Sequence, residues 1–303
     1  LPSRPLAILV AIEPAWFDVL PSIRQVSNMH NALLPTHRAC PAPLAFAVLA
    51  AGAACCALAA AQPPDPAGAT FVIGAGAAVG PRYSGSAQTS VAPVLLLDYS
   101  TAGGFYASSM RGLGYGGQAG AFSYSAALGY RGERTQKDQS ALLGNSGSSR
   151  LRGMGDIKGN ASAVLGLAYA ALPGISLGLS ADLPMSRKDN GKNLHAMVSG
   201  ELYSQGAQRV SLSLAAGFAD SNYAQTYYGV SAAQAASSRF RAYRPGAGLY
   251  EVAVELSWEH RIDARWGITS MFAATRLVRD AGRSPVAERK SAPSAALYAT
   301  YTY

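Results

Sequence analysis

The sequence predicts an all-β chain, a transmembrane antiparallel β-barrel of about 12 strands with 10 as the alternative, closed by a C-terminal strand ending at Tyr303. Three observations lead there. In the last stretch, residues 292–303, steps of two back from the terminus give Tyr303, Tyr301, Ala299, Leu297 and Ala295, whereas the other register gives Thr302, Thr300, Tyr298, Ala296 and Ser294. One face is apolar and the other is small or hydroxylated apart from Tyr298, the two-residue period of a strand with an oily side and a wetter side. A closing barrel strand ends on an aromatic at the height of the lipid–water girdle, so Tyr301 and Tyr303 are read as a membrane-insertion signal. The last strand of a soluble sandwich would look similar, and the other two observations decide between them.

The second observation is composition. Only 14% of the chain is charged, 49% is hydrophobic, and 32 of 303 residues are glycine. Beyond residue 61 no apolar run approaches the roughly 18 residues of a membrane-spanning helix. A barrel instead hides its membrane signal in alternation, which averages to near-neutral hydropathy; the mean hydropathy is +0.10. The third observation is that short links alternate with long polar ones, as periplasmic turns alternate with external loops in outer-membrane barrels.

Taken from the N-terminus, residues 1–28 fit neither a leader nor a domain and are read as a mis-called upstream segment, with translation beginning near Met29. Residues 29–61 read as a secretory signal: Arg38 is the basic start, an apolar run extends from Leu44 to Leu58, and Ala59-Ala60-Ala61 predicts cleavage after Ala61. Lipid attachment at Cys55 or Cys56 is the alternative, but Gly52 or Ala53 stands where that signal has leucine. Cys40, Cys55 and Cys56 are the three cysteines, so the mature chain would carry none, which suits an exported protein built without disulfides. Residues 62–69 form a Pro-rich spacer and residues 70–303 the barrel.

Strand-like segments cover residues 70–79, 91–99, 105–113, 121–130, 156–172, 175–183, 194–203, 210–218, 250–261, 266–278 and 292–303. Gly103-Gly104 and Gly116-Gly117 are read as breaks, Pro173-Gly174 as a tight turn, and residues 131–155, 219–248 and 279–291 as long external loops. This makes eleven segments, whereas single-chain barrels have an even number. The missing strand is sought inside 156–172 or 219–248. Tyr supplies 16 aromatic residues, several at segment ends (Tyr99, Tyr115, Tyr130, Tyr203, Tyr250), where an apolar ring with a wet hydroxyl favours the membrane interface. The mature chain keeps a net positive charge, favouring anionic partners such as lipopolysaccharide or murein. Its Lys and Arg are scattered, which speaks against nucleic acid.

Four motifs in sequence resemble the MipA/OmpV family of outer-membrane proteins. They are Pro81-x-Tyr83-x-Gly85-Ser86 between two strands; Gly153-Met-Gly155-Asp156 opening a strand; Tyr227-Tyr228-Gly229-Val230 with a later Tyr243-Arg-Pro-Gly; and Asp280 with Ser284-Pro285 before the closing strand. Gly282-Arg283 departs from the family's more acidic or polar pattern there. The resemblance implies an outer-membrane barrel, and for the founding member a scaffold bringing a lytic transglycosylase and a murein synthase together; for others it implies surface adhesin or antigen roles.

The chemistry-bearing motifs are weak. Gly174-Ile-Ser176-Leu-Gly178 matches a nucleophile elbow, but that motif needs a helix after its strand and none is expected. Gly112-Leu-Gly114-Tyr-Gly-Gly117 matches a dinucleotide fingerprint without the helix that would hold a pyrophosphate, and reads as a turn. His195 and His260 are the mature chain's histidines, each alone in a strand segment; no ligand spacing for a metal exists. Arg111, Lys158, Asp182, Glu201 and Glu255 are the charges expected to face the lumen, since Arg or Lys facing lipid costs ~2–4 kcal/mol at midplane. The reading is a non-enzymatic outer-membrane platform, with a narrow channel or a surface adhesin as alternatives.

Overall fold

Strands that are apolar on one face and small or polar on the other need a partner on each edge, and here they close on themselves. The structure, a computed structural model, describes residues 68–138 and 146–303. The upstream segment, the signal peptide and residues 62–67 of the spacer lie outside the described residues.

Twelve antiparallel strands form one closed barrel: β1 (Thr70–Pro81), β2 (Thr89–Ser100), β3 (Phe105–Ser108), β4 (Gly112–Ala119), β5 (Phe122–Arg131), β6 (Asn160–Leu172), β7 (Ile175–Pro184), β8 (Asn193–Gln205), β9 (Gln208–Ala219), β10 (Gly248–Arg261), β11 (Trp266–Leu277) and β12 (Ser291–Thr302). Each pairs with its sequence neighbours, and β1 closes on β12 in a register running from Val72 opposite Thr302 to Val79 opposite Ala295. The alternation read in the last strand is the one observed. Leu297 and Tyr303 are 57% and 68% exposed on the outer wall, while Ser294 and Ala296 are buried inside.

Five links of two to four residues lie at one end with the chain terminus, among them the two-residue turns Pro173-Gly174 and Gly206-Ala207, and one more short link, residues 109–111, lies at the opposite end. All long links lie at the other end. The expected long loop 219–248 holds two short helices, α1 (Ser221–Tyr228) and α2 (Ala232–Ser237). The sequence carried their start signals. Asp220 accepts the Tyr223 N–H at 2.7 Å, and Ser231 with Gln234 forms a reciprocal capping box.

The twelfth strand is β4. It occupies the glycine-rich stretch expected to be a turn, and residues 105–113 are a hairpin rather than one strand. Leu113 and Tyr115 face outward, whereas the inward positions are glycines over which the Tyr106 ring lies. Glycine contributes no side chain to a strand pattern, so only half the alternation is visible. Two further expectations are corrected: Asp156 and Lys158 precede β6 and belong to the loop, since the strand begins at Asn160.

Because β3 is only four residues long, β2 pairs with it solely at Asp98–Ser100. Ser109 ends that seam, its N–H donating to the Leu97 carbonyl and its hydroxyl to the Leu95 carbonyl. From there to Thr89, β2 is bonded along one edge to β1. Pro93 lies in this stretch, where its missing N–H forfeits no ladder bond. Met110 turns into the lumen and packs with Val94, Met271, Ala273 and Ala296.

Candidate functional site

The lumen lining begins from inward positions of the strands that hold charge in pairs. Arg111 meets Asp98 at 2.8 Å and lies 4.1 Å from the Tyr106 ring centroid. Arg131 meets Asp182 at 3.0 Å, with both side chains buried. A buried charge is tolerated when it is paired, which explains how these four are held inside the wall. Glu255 also faces the lumen, whereas Glu201 lies toward the short-turn end beside Arg209 at 3.0 Å. His195 points inward, 2.9 Å from the Tyr250 hydroxyl and 3.3 Å from Glu251. A bulge at Gly217/Phe218 lets Tyr250 and Glu251 both face inside. His260 instead stacks on Trp258, 5.8 Å between centroids.

At the long-link end this lining meets a cap. Tyr223, Tyr227, Tyr228 and Tyr250 pack ring against ring, and Arg131 lies 5.2 Å from the Tyr223 ring. Arg134 closes the C-terminal end of α1 by donating to the Tyr227 and Thr226 carbonyls, a cation placed where the helix carbonyls point. Burial pulls its guanidinium below the usual arginine range. Above lies a second apolar cluster of Tyr83, Leu151, Met154, Val230, Phe240 and Val286, drawn from four separate links.

The family-like motifs, scattered in sequence, converge here. Pro81 ends β1, and Ser86 turns the chain back by donating its N–H to the Tyr83 carbonyl at 2.8 Å. The Tyr83 hydroxyl donates to the Val286 carbonyl at 3.4 Å, and burial, with Glu288 nearby, pushes it up to about 12. Gly85 packs against Ala287. Ser84 bonds the Tyr228 hydroxyl at 2.9 Å, and Ser284 donates to the Tyr228 carbonyl at 2.6 Å; Pro285, half-buried, follows it. Gly229 follows α1, and Val230 pairs with Tyr243, whose hydroxyl donates to the Asp280 carbonyl. Gly153 (φ +86°) sits where a Cβ would collide with the Ser237 carbonyl. Asp156 accepts the Gln136 N–H at 2.9 Å, and Gly155 makes the turn beside it. Tyr301 and Tyr303 lie at the opposite end, edge-on to each other, with Trp266 against Tyr301 and Phe71 stacked on Tyr303.

One residue central to the cap was not singled out from the sequence. Glu288 accepts the Ala87 N–H at 3.1 Å and pairs with Arg150 and Arg239, so it ties four links together. Its burial would raise its pKa, but the Ala87 N–H and the two guanidinium groups outweigh that and hold it below the usual glutamate range. Nothing in its local sequence marks it, since its partners are contributed by distant links. Ser176 is the second residue of β7, buried and facing the lumen, and its strand leads into a loop rather than a helix. Among the described residues no three His, Cys, Asp or Glu side chains are grouped to hold a metal ion.

A closed twelve-stranded barrel with an apolar outer wall, a lumen of paired charges and an aromatic girdle at its short-turn end is an outer-membrane β-barrel protein. The model of the family described as MltA-interacting protein MipA matches residues 73–303, and the chain belongs to that family. No curated protein sequence matches it. Among solved structures, the NanC porin is similar at 8% identity over 76% of this chain and 98% of that one, with a TM-score of 0.41. An anion-selective porin from Comamonas acidovorans is similar at 8% identity over 78% and 98%, TM-score 0.33. The outer membrane protein OprD from Pseudomonas aeruginosa follows at 14% identity over 78% and 59%, TM-score 0.30.

Proposed function

We propose that this chain works as a closed outer-membrane platform on which other molecules dock, rather than as an open pore or an enzyme. The observation that carries the reading is the cap: four long links interlock through an apolar cluster and the Glu288 clamp over the lumen. Open aqueous channels belong to barrels of about 16 strands or more, and here a twelve-stranded lumen also has a packed lid. With the chain terminus and short turns on the periplasmic side, a murein enzyme such as the lytic transglycosylase of the family's name would meet the short-turn rim. A murein synthase would be gathered by the same rim, and surface partners would meet the cap.

Two measurements test this. Single-channel recording of the intact protein in planar bilayers is expected to give a quiet trace. Steady unitary steps would overturn the closed platform and favour a narrow channel, the second reading, which the paired charges lining the lumen support. Retention of a lytic transglycosylase on the immobilised, folded barrel is expected, and its absence at micromolar concentrations would remove the murein partner.

A further inference from the structure

The outer wall of the barrel carries one feature that neither the cap nor the lumen explains. Outward alanine pairs interrupt the apolar band on β1 and β12, where Ala75 stands opposite Ala299, and again further round the wall, where a recess opens. There, on β8 and β9, Ala196 and Ala216 stand opposite each other, flanked in the same row by Leu179 and Leu167. Two methyl groups among leucines leave a depression, a groove of about 560 Å³ floored by the alanines and walled by Leu167, Leu179, Val198 and Leu214. Its volume falls in the roughly 300–1,000 Å³ range of small-molecule sites.

The link directly above the groove, joining β7 to β8, is strongly cationic at its tips and rigid in its backbone. Asn190 and Gly191 are pulled inward: the Asn190 amide donates to the Lys158 carbonyl and to Asn160, and Arg131 donates to the carbonyls of Asn190 and Gly191. Thr226 on α1 donates to the Asp189 carbonyl, and the Asp220 N–H donates to the Lys192 carbonyl. Gly191 has φ +74°, and a Cβ there would strike the Tyr223 backbone nitrogen. This anchoring leaves Arg187, Lys188 and Lys192 exposed, with Asp189 as the one acidic side chain in the link, and no ion pair forms to the three cations among the described residues. From Leu179 to the end of β7 at Pro184, five residues of a strand tilted by about 40° span roughly 13 Å along the membrane normal. Cations at the rim and an apolar groove about that far below match an anionic headgroup joined to acyl chains.

We propose that Arg187, Lys188 and Lys192 together with the Ala196/Ala216 groove form a binding site for a phosphorylated, multiply acylated glycolipid of the outer leaflet. The long-link end faces that leaflet, which selects this lipid over inner-leaflet phospholipid. The fixed backbone presents the three charges without first ordering the loop, which lowers the entropic cost of binding. The site rests on the outer-membrane placement alone and is independent of what docks on the cap or the short-turn rim.

The test uses the full chain folded in nanodiscs, with bis-phosphorylated hexa-acyl lipid A as probe and binding read by native mass spectrometry. The wild type is expected to bind it at least tenfold more tightly than the dephosphorylated form. R187Q/K188Q/K192Q is expected to erase that preference, whereas A196L/A216L is expected to weaken both forms by filling the groove. R241Q/R244Q/R289Q removes equal charge from exposed cap positions and is expected to change binding less than threefold. Equal losses in the two charge variants would overturn the site in favour of diffuse attraction, as would undiminished binding in R187Q/K188Q/K192Q. All charge changes are at exposed positions, and heat-modifiable migration checks folding; if the groove variant does not fold, the charge comparison decides alone. Transglycosylase retention by the same variants is expected to be unchanged, so the failure of either proposal is visible separately.

Discussion

Glu288 shows how a single side chain can fix the shape of a loop surface. Its carboxylate receives one backbone N–H and two guanidinium groups from three other links, and bonds to a charged group contribute about 1.5–3 kcal/mol when well buried. Arg150 and Arg239 are roughly half exposed, so E288Q is expected to loosen the cap by only about 1 kcal/mol, read as several-fold faster proteolysis within the long links while the barrel stays intact. The pH dependence has a definite sign. Glu288's folded pKa is depressed, so its contribution is present above the unfolded value of about 4.3 and is lost as pH falls through the folded value. Cap protection is therefore expected to be flat from pH 7 to 5 and to decline below about pH 4, and E288Q is expected to flatten that decline. Gly153 makes a second residue-level case. Its positive φ and the Ser237 carbonyl in the Cβ position mean that G153A is expected to cost roughly 1–3 kcal/mol of local strain. It should free α2 from the loop at Met154, where the Gln234 amide now donates at 2.7 Å, and appear as raised hydrogen exchange confined to residues 232–237.

At the scale of elements, the hairpin β3–β4 is both the least legible part of the wall and the part with the most concentrated chemistry. Alternation was readable wherever outward leucines and tyrosines faced inward residues with side chains, as in β12. In β4 glycines hold the inward positions, so the sequence looked like a turn although Leu113 and Tyr115 kept the period. The charged pairs were legible only as members: Asp182 and Arg111 stood out as lumen charges, but their partners Arg131 and Asp98 lie 51 and 13 residues away, and strand register decides who meets whom. The hairpin depends on one such pair, because Arg111 turns inward over the Tyr106 ring to meet Asp98. D98A would leave a buried, uncompensated guanidinium, a loss of about 3–5 kcal/mol, whereas D98A/R111M removes both charges and is expected to recover more than half. Urea unfolding midpoints in detergent separate the two; equal destabilisation by single and double variants would mean the pair contributes packing rather than charge compensation.

For the whole molecule, the distribution of charge follows the ends of the barrel. The scattered Lys and Arg of the linear sequence collect, once folded, in the six links at the cap end, which hold 17 basic and seven acidic residues, while the short-turn links hold only Asp263 and Arg265. Motifs spread over two hundred residues likewise meet only in three dimensions, which is why the sequence marked Tyr83, Gly153, Tyr228 and Ser284 without revealing that they form one lid. On the closed-platform reading proposed above, the lid and not the strand count alone is the barrier to flow across this barrel. Beneath it Ala78, Val94, Met110, Met271 and Ala296 pack into the lumen along β1, β2, β11 and β12. The opposite side is polar, with Glu251, Glu255, Ser213 and Ser257 buried close to His195. Replacing residues 221–246 by a short Gly-Ser link removes α1, α2, three tyrosines of the ring cluster and the Arg239 arm of the Glu288 clamp, while β9 and β10 keep their full register. Small, steady conductance steps are then expected where the intact protein is silent. They are also expected to favour cations, because Glu251 and Glu255 are inward-facing acidic side chains of the lumen. A silent trace from a correctly folded loop-deleted barrel would show that the methionine cluster seals the lumen by itself, and M110A combined with the deletion would then be the variant that conducts.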